Sequence, residues 1–426
     1  MTSKGFALAI LFAINVLNFY DRQALGVVVE PVRKEFHLND TQIGALSTYM
    51  TVLYAVVGLP LGRIADSWSR KKLLALGVLI WSVLTAAGGF VTTYALLMLS
   101  RLGVGVGEAV CAPAGTSWIG DIVPANRRGR ALSFFMLGVP VGIALSFAIG
   151  GPVAQAFGWR RALMLAAGPA ILLIPALLAL HEPKRGAAEA KPHLVPEKAS
   201  AWSLVRIPTL WWIIASGAMV NFNFYVIGTF LPAFLTRFHG LTVGQAGVWA
   251  GIGHGVSGVI GGTTAGFVGD WAIHHRKNGR MLVAGAAALF AAPAAFLGIV
   301  MPAGSVLPAV LLLMLCYGLM NMYYGNVYSA LQDIVTPSLR GTAMAVYFMA
   351  MYLLGASFGP LLTGRLSDYF AHKAALAAGS AQVTESARAL GLHDAMYVIP
   401  LLSLGLAAVL WAGSRTIIRD MERRGA

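Results

Sequence analysis

Between two apolar runs the chain reads Gly62-Arg63-Ile64-Ala65-Asp66-Ser67-Trp68-Ser69-Arg70-Lys71-Lys72. The runs on either side cover about 42–65 and 73–93. Each is long enough to cross a hydrocarbon core as a helix, which takes about 20 mostly apolar residues. Working outward, similar stretches occur near 6–30, 95–118, 131–157, 161–180, 208–235, 244–268, 281–301, 305–331, 341–367 and 395–414, twelve in all. Of the 426 residues 58% are hydrophobic and 11% charged, with a mean hydropathy of +0.72. An ordinary globular chain carries about 25% charged residues. A water-soluble fold has no interior large enough for this apolar surface, so most of it faces lipid. Disordered, collagen-like and disulfide-scaffold classes are excluded with it.

The 31 basic and 17 acidic residues give a formal charge of +14. In a membrane protein that excess is the cytoplasmic Lys/Arg bias rather than a nucleic-acid footprint. With both termini cytoplasmic, the cytoplasmic segments hold 21 of the 31 basic residues and the opposite loops eight, with Arg22 and Arg101 inside helices. The expectation is a multi-pass protein of the bacterial inner membrane, monomeric, with no nucleic-acid partner. Residues from Phe6 to Tyr20 look like a signal peptide, but no small-residue cleavage site follows, so they read as a retained first span. Cys111 and Cys316 lie in apolar runs and read as buried thiols, and no metal or cofactor is expected.

The two ends of the chain repeat one another. Gly62-Arg-Ile-Ala-Asp66 is echoed by Gly266-Phe-Val-Gly-Asp270, and Asp121-Ile-Val-Pro by Asp333-Ile-Val-Thr-Pro ahead of Arg340-Gly341. Gly151-Pro152 is echoed by Gly359-Pro360, and the three offsets are 204, 212 and 208. Matches in register predict an all-α membrane protein of two pseudo-symmetric six-helix bundles. The bundles are placed at 1–181 and 207–426, joined by a solvated cytoplasmic linker over 182–206. Such halves rocking about a site at the midplane are a general plan for alternating access.

These residues resemble the major facilitator superfamily of transporters, and the resemblance covers nearly the whole chain. Gly62-x3-Asp66-x3-Arg70-Lys71 is similar to its signature between spans two and three. It implies a cytoplasmic gate in which Asp66 meets the start of span eleven, with Arg70, Lys71, Asp270 and Arg340 as the other charged members. The alternative is ordinary charge anchoring of a loop. Three further stretches are similar to the spinster family of lipid and sphingolipid transporters: Asn18-Phe-Tyr-Asp21-Arg22, Arg101-x6-Glu108-Ala109, and Ala125-Asn-Arg-Arg-Gly-Arg130. The resemblance implies a proton-coupled carrier of amphipathic, lysolipid-like substrates. Organic-anion symporters of the same superfamily share the first stretch, so a sugar-acid type of substrate is the rival.

Asp21, Arg22, Arg101 and Glu108 stand within apolar spans. Unpaired at mid-bilayer they would cost roughly 10–14 kcal/mol together. Helix rise places Asp21 about 24 Å up from Gly5 and Arg101 about 10 Å down from Tyr94, nearly level across about 30 Å of hydrocarbon. Asp21 is therefore expected to pair with Arg101, with Glu108 two turns further along span four. A proton moving on and off Asp21 or Glu108 would couple to the conformation; a static ion-pair network is the other reading. Arg22, Arg101 and Asn18 are candidate headgroup contacts, since Arg offers a charged bidentate fork. Spans seven and ten, the counterparts of one and four, add Asn221, Asn223, Tyr225, Asn321, Tyr324 and Asn326 as a polar-aromatic surface. His254 reads as a packing histidine or a proton relay. There is no nucleotide-binding loop, no His-Glu-x-x-His and no Gly-x-Ser-x-Gly, so an enzyme is not expected, and the remaining alternative is a membrane receptor or scaffold.

Overall fold

The computed structural model describes residues 4–185, 187, 201–336 and 339–425, together with most of their side chains; that of Asp66 lies outside the described set. Every regular element among the described residues is helical. Ten helices are long and apolar enough to cross a membrane. Two more complete the twelve: Arg70–Ala87, which opens on three consecutive basic residues, and the glycine-rich Val243–His275. We number the spans in chain order. Span one is Lys4–Val27, two Asp40–Ser67, three Arg70–Ala87 and four Tyr94–Ile122. Five is Arg130–Phe157, six Trp159–Ala179, seven Pro208–Arg237 and eight Val243–His275. Nine is Gly279–Val300, ten Val306–Ile334, eleven Arg340–Ala377 and twelve Glu385–Arg423.

Spans one and four bury residues along a stripe that keeps a helical period. In span one it runs through Ala7, Leu11, Ile14, Asn18, Asp21 and Leu25, in steps of three and four residues. In span four it runs through Leu97, Arg101, Val104 and Glu108. The polar residues of both spans therefore occupy the inward face. Their helices also approach closely. A Cβ on Gly142 of span five would collide with the Val16 carbonyl of span one. A Cβ on Gly107 of span four would sit 2.9 Å from the Trp81 amide of span three. Glycine removes the side chain that would otherwise hold these backbones apart.

Two compact units make up the chain. The first comprises Met1–Leu38, Tyr49–His193 and Leu241–Gly255; the second comprises Asn39–Thr48, Leu194–Gly240 and Val256–Ala426. Within the first, Gly251 and Gly255 of span eight pack on Ala144 of span five; within the second, Gly261 and Gly269 of the same span pack on Gly318 and Asn326 of span ten, whereas Gly262 and Gly266 have open space beside them. Within the second, the opening turn of span two is held by span eleven: Asp368 accepts from the Asp40 amide at 3.0 Å, and from the Thr41 amide at 2.9 Å and its hydroxyl at 2.6 Å. A carboxylate at that position satisfies orphan amides and complements the helix dipole. Asp40 in turn accepts from Arg237 at 2.8 and 2.9 Å and from the Ser367 hydroxyl at 2.6 Å.

The 182–206 linker departs from a purely solvated segment at its start. The Glu182 carboxylate accepts from the Ser69 hydroxyl at 2.5 Å, and from the Arg70 amide at 2.8 Å, capping span three. Arg185 donates to the carbonyls of Ala65 and Trp68, both at 2.9 Å, where span two ends. An anion therefore sits at a helix start and a cation at a helix end, each the favourable sign. Ala201–Arg206 form a 3-10 turn, and 188–200 lie outside the described residues.

Candidate functional site

The first unit holds a charged cluster where spans one and four face each other. Asp21, Arg101 and Glu108 are all 0% exposed, so none points to lipid. Arg22 Nε donates to Glu108 Oε2 at 3.0 Å, and the Arg22 guanidinium lies 4.0 Å over the Tyr54 ring and 5.1 Å from that of Phe19. Asn18 Nδ2 donates to the Glu108 carbonyl at 3.5 Å. Below it, Asn15 Nδ2 donates to the Phe135 carbonyl at 2.7 Å, while the Cys111 thiol lies 3.8 Å from Asn15 Oδ1. Span four breaks at Ala109 and Val110, directly beside this cluster.

The expected Asp21–Arg101 ion pair does not form. Both Asp21 oxygens and all three Arg101 guanidinium nitrogens lack a hydrogen-bond partner, although the two side chains are within electrostatic reach of each other. The Trp81 indole lies near Asp21 without closing a hydrogen bond. The reason is height. Asn18, not Asp21, is level with Glu108. Asp21 is then about 4.5 Å and Arg101 about 10.5 Å further along, so the short aspartate falls between the two groups. Arg22 has the reach to take Glu108 instead. Arg101 packs against Gly88, the C-cap of span three, where a helix presents its negative dipole end.

The second unit holds an aromatic wall. Tyr324 stacks on Phe224 with centroids 5.5 Å apart and donates to Asn221 Oδ1 at 3.2 Å. Tyr323 bridges Ser216 at 2.8 Å and Tyr347 at 3.0 Å through its hydroxyl. Tyr328 continues the wall to Phe348 at 5.4 Å, and Tyr225 meets Tyr352 edge-on at 6.3 Å. Of the amides expected here, Asn221 joins the wall through the Tyr324 hydroxyl. Asn223 donates to Ile399 O and Ser403 Oγ of span twelve, both at 3.2 Å, and Asn326 to Met322 O at 2.9 Å and Ala265 O of span eight at 3.4 Å. Asn321 bonds back to Tyr317 O at 2.9 Å. Asn223 and Asn326 thus tie their spans to neighbouring helices, while Asn321 bonds within its own.

Ser216, Phe224, Tyr347, Phe348 and Tyr352 were not singled out in the sequence, nor were Tyr54 and Trp81. Tyr347-Phe348 and Tyr352 share a face of span eleven by spacing, a usable signal. Nothing in sequence announces that Tyr352–Ala356 form a π-helical turn, a feature often found at functional sites. A Cβ on Gly355 within it would strike the Ala218 carbonyl of span seven. His254 is a packing residue by its contacts: Nδ1 bonds Ala250 O at 2.8 Å and the ring stacks on Phe147 at 5.0 Å.

Of the residues read as a cytoplasmic gate, Arg70 and Asp270 form ion pairs, each inside its own unit. In the first, Arg70 pairs with Asp121 and, at 3.4 Å, with Glu182, while Lys71 donates to the Leu178 and Leu180 carbonyls at 3.1 and 3.0 Å. In the second, Arg280 pairs with Asp270 at 3.0 Å and Asp333 at 2.8 Å. Gly62 has only Pro113 nearby, and Arg340 Nε has no hydrogen-bond partner among the described residues. Asp121 and Asp333 are repeat mates, so the repeat extends to a matching ion pair. Residues 11–360 match the Major Facilitator Superfamily.

The chain belongs to the major facilitator superfamily.

It is accordingly a multi-pass membrane transporter and not an enzyme. It is 30% identical over 364 residues to an MFS-type efflux pump of Mycolicibacterium smegmatis, covering 85% of this chain and 84% of that one. It is 28% identical to human protein spinster homolog 1 over 382 residues, covering 84% of this chain and 72% of the human protein. Its fold is similar, with a TM-score of 0.87 and 26% identity over 99% of both chains, to the crystal structure of a bacterial homologue of the human lysosomal transporter Spinster in an inward-facing, occupied conformation. The spinster-like transporter expected from the Asn18–Arg22 and Arg101–Glu108 stretches is thereby met at the level of family.

Proposed function

We propose that this transporter is driven by protons and carries an amphipathic substrate with an anionic headgroup by alternating access. The observation that carries the reading is Asp21: a fully buried carboxyl whose oxygens have no hydrogen bond, set between an unbonded Arg101 and the Arg22–Glu108 pair. A buried polar group without a partner costs several kcal/mol if charged, so its protonation state changes the energy of the surrounding pocket strongly. A group of that kind lets a proton bind two conformations with different free energy, which coupling requires. Arg101 is the cation left for a substrate anion, because Arg22 is engaged by Glu108. The tyrosines at 323, 324 and 328 with Phe224 offer an apolar body its contact, and their hydroxyls tolerate polar groups. Tyr225 and Asn221 belong to the same surface, and Asn18 supports Glu108.

The test is uptake into liposomes containing the pure protein under an imposed pH gradient. Wild type accumulates substrate when the gradient is present. Asp21→Asn loses the gradient's effect while still equilibrating substrate across the membrane. Undiminished gradient-driven uptake in both Asp21→Asn and Glu108→Gln removes the proton reading. Competition between lysophospholipids and sugar acids for binding decides the substrate class: displacement by sugar acids alone transfers the assignment to an organic-anion symporter. No flux of any substrate would return the chain to a receptor or scaffold role.

A further inference from the structure

In the second unit, spans seven, eleven and twelve enclose an open groove of about 530 Å3. Phe222, Leu362, Leu366, Val398 and Leu402 wall it, and Arg365 and Tyr369 stand at its rim. The volume lies within the roughly 300–1,000 Å3 of small-molecule clefts. The span-eleven face of the groove is open to the surroundings, with Leu362 41% and Tyr369 62% exposed, and it continues to Phe358 at 48%. In a membrane protein that face meets acyl chains.

Arg365 is the anomaly on it. It is exposed, and it makes no hydrogen bond or ion pair among the described residues. Asp368, one turn further along span eleven, is the acid placed to pair with it, but both Asp368 oxygens are taken by the first turn of span two. That same contact fixes the height. Arg365 lies one turn from the level at which span two begins, and Val398 opens the long helix of span twelve beside it. The cation is therefore near a membrane boundary, and the apolar walls run from it towards Phe222 in the middle of span seven. A long basic side chain in that position reaches up to the headgroup level, with a tyrosine as its interfacial neighbour.

We infer that this groove is a seat for one anionic glycerophospholipid of the surrounding membrane, phosphate on Arg365 and an acyl chain along Leu362, Leu366 and Phe222. Arg binds phosphate through two parallel hydrogen bonds, and a lipid supplies the apolar remainder that a free anion lacks. The site is separate from the proposed proton and substrate groups, and its test does not use transport.

Native mass spectrometry of the intact protein, titrated with phosphatidylglycerol or phosphatidylcholine, reads lipid retention directly. Wild type is expected to hold phosphatidylglycerol in preference to phosphatidylcholine. Arg365→Gln weakens phosphatidylglycerol by roughly fivefold, the worth of one basic residue against an anionic lipid. Arg365→Lys restores most of the preference, and Arg388→Gln, a partly buried arginine elsewhere that pairs with Glu385 at 3.8 Å, leaves it intact. Leu362→Trp, which fills the groove, weakens both lipids together. Equal phosphatidylglycerol retention in wild type and Arg365→Gln overturns the assignment. So does a change of oligomeric state in Arg365→Gln, which would make a second copy of the chain the occupant.

Discussion

Glu108 and Arg22 form a pair with side-chain exposures of 0% and 7%, and the consequence of removing one partner differs from removing both. Glu108→Gln leaves a buried guanidinium without its carboxylate, which costs roughly 3–5 kcal/mol in comparable buried pairs. Replacing both charges, in Glu108→Gln with Arg22→Gln, recovers most of that loss. Thermal unfolding of the four proteins in detergent gives the cycle; additive losses would mean that the two side chains do not act together. Asp21→Asn has no ion-pair partner to abandon, so its stability is expected to stay near wild type while its coupling is lost. The identity of these residues was legible in the sequence because charge inside an apolar span is conspicuous. Who pairs with whom was not, since a few ångströms of helix height separate an aspartate that reaches Arg101 from one that does not.

At the scale of elements, the stripe of each span follows from its sequence. Ala7, Leu11, Ile14, Asn18, Asp21 and Leu25 are spaced for one helical face, and all six are buried in span one. Departures from ideal helix are less visible: the break after Glu108 lies one turn before Pro113, which crowds the Ala109 carbonyl and supplies no N–H to it, but the π turn at Tyr352–Ala356 has no such local mark. The linker shows the same limit. Its composition reads as solvent-exposed, yet Glu182 caps span three. Burial alone would raise the Glu182 pKa, but hydrogen bonds from Ser69, the Arg70 and Lys71 amides and the Arg70 guanidinium outweigh it and hold the pKa below 4.5. A lowered carboxylate pKa stabilises the folded state above its unfolded value, and that contribution is lost as pH falls through the folded value. Glu182→Gln is therefore less stable than wild type at about pH 7, by about 1 kcal/mol for a lost helix cap. The gap narrows once the pH drops below 4.5, which melting curves across that range would follow. A constant gap at all pH values would assign Glu182 no ionised role.

For the whole molecule, twelve spans and an internal repeat were readable because hydropathy and register survive without any knowledge of contacts. The grouping of Asn39–Thr48 with the second unit and Leu241–Gly255 with the first was not, since it depends on pairings hundreds of residues apart such as Asp368 with Thr41. The Lys/Arg distribution predicts that both termini are cytoplasmic. Cys111 and Cys316 are buried, so an impermeant maleimide meets little background. Lys277→Cys, between spans eight and nine, is expected to react only in opened cells, and Ala303→Cys, between nine and ten, in intact ones. The reverse result would invert the topology.

The ion pair Arg70–Asp121 and its mate Arg280–Asp333 tie the same two helices of each half, span three to four and span nine to ten. A half-length ancestor copied and fused to make such a chain would already have owned that fastener. The sequences drifted until the glutamate and arginines of spans one and four had no counterpart in spans seven and ten, yet the bolt holding each scaffold stayed. Chemistry diverged between the twins while their carpentry did not.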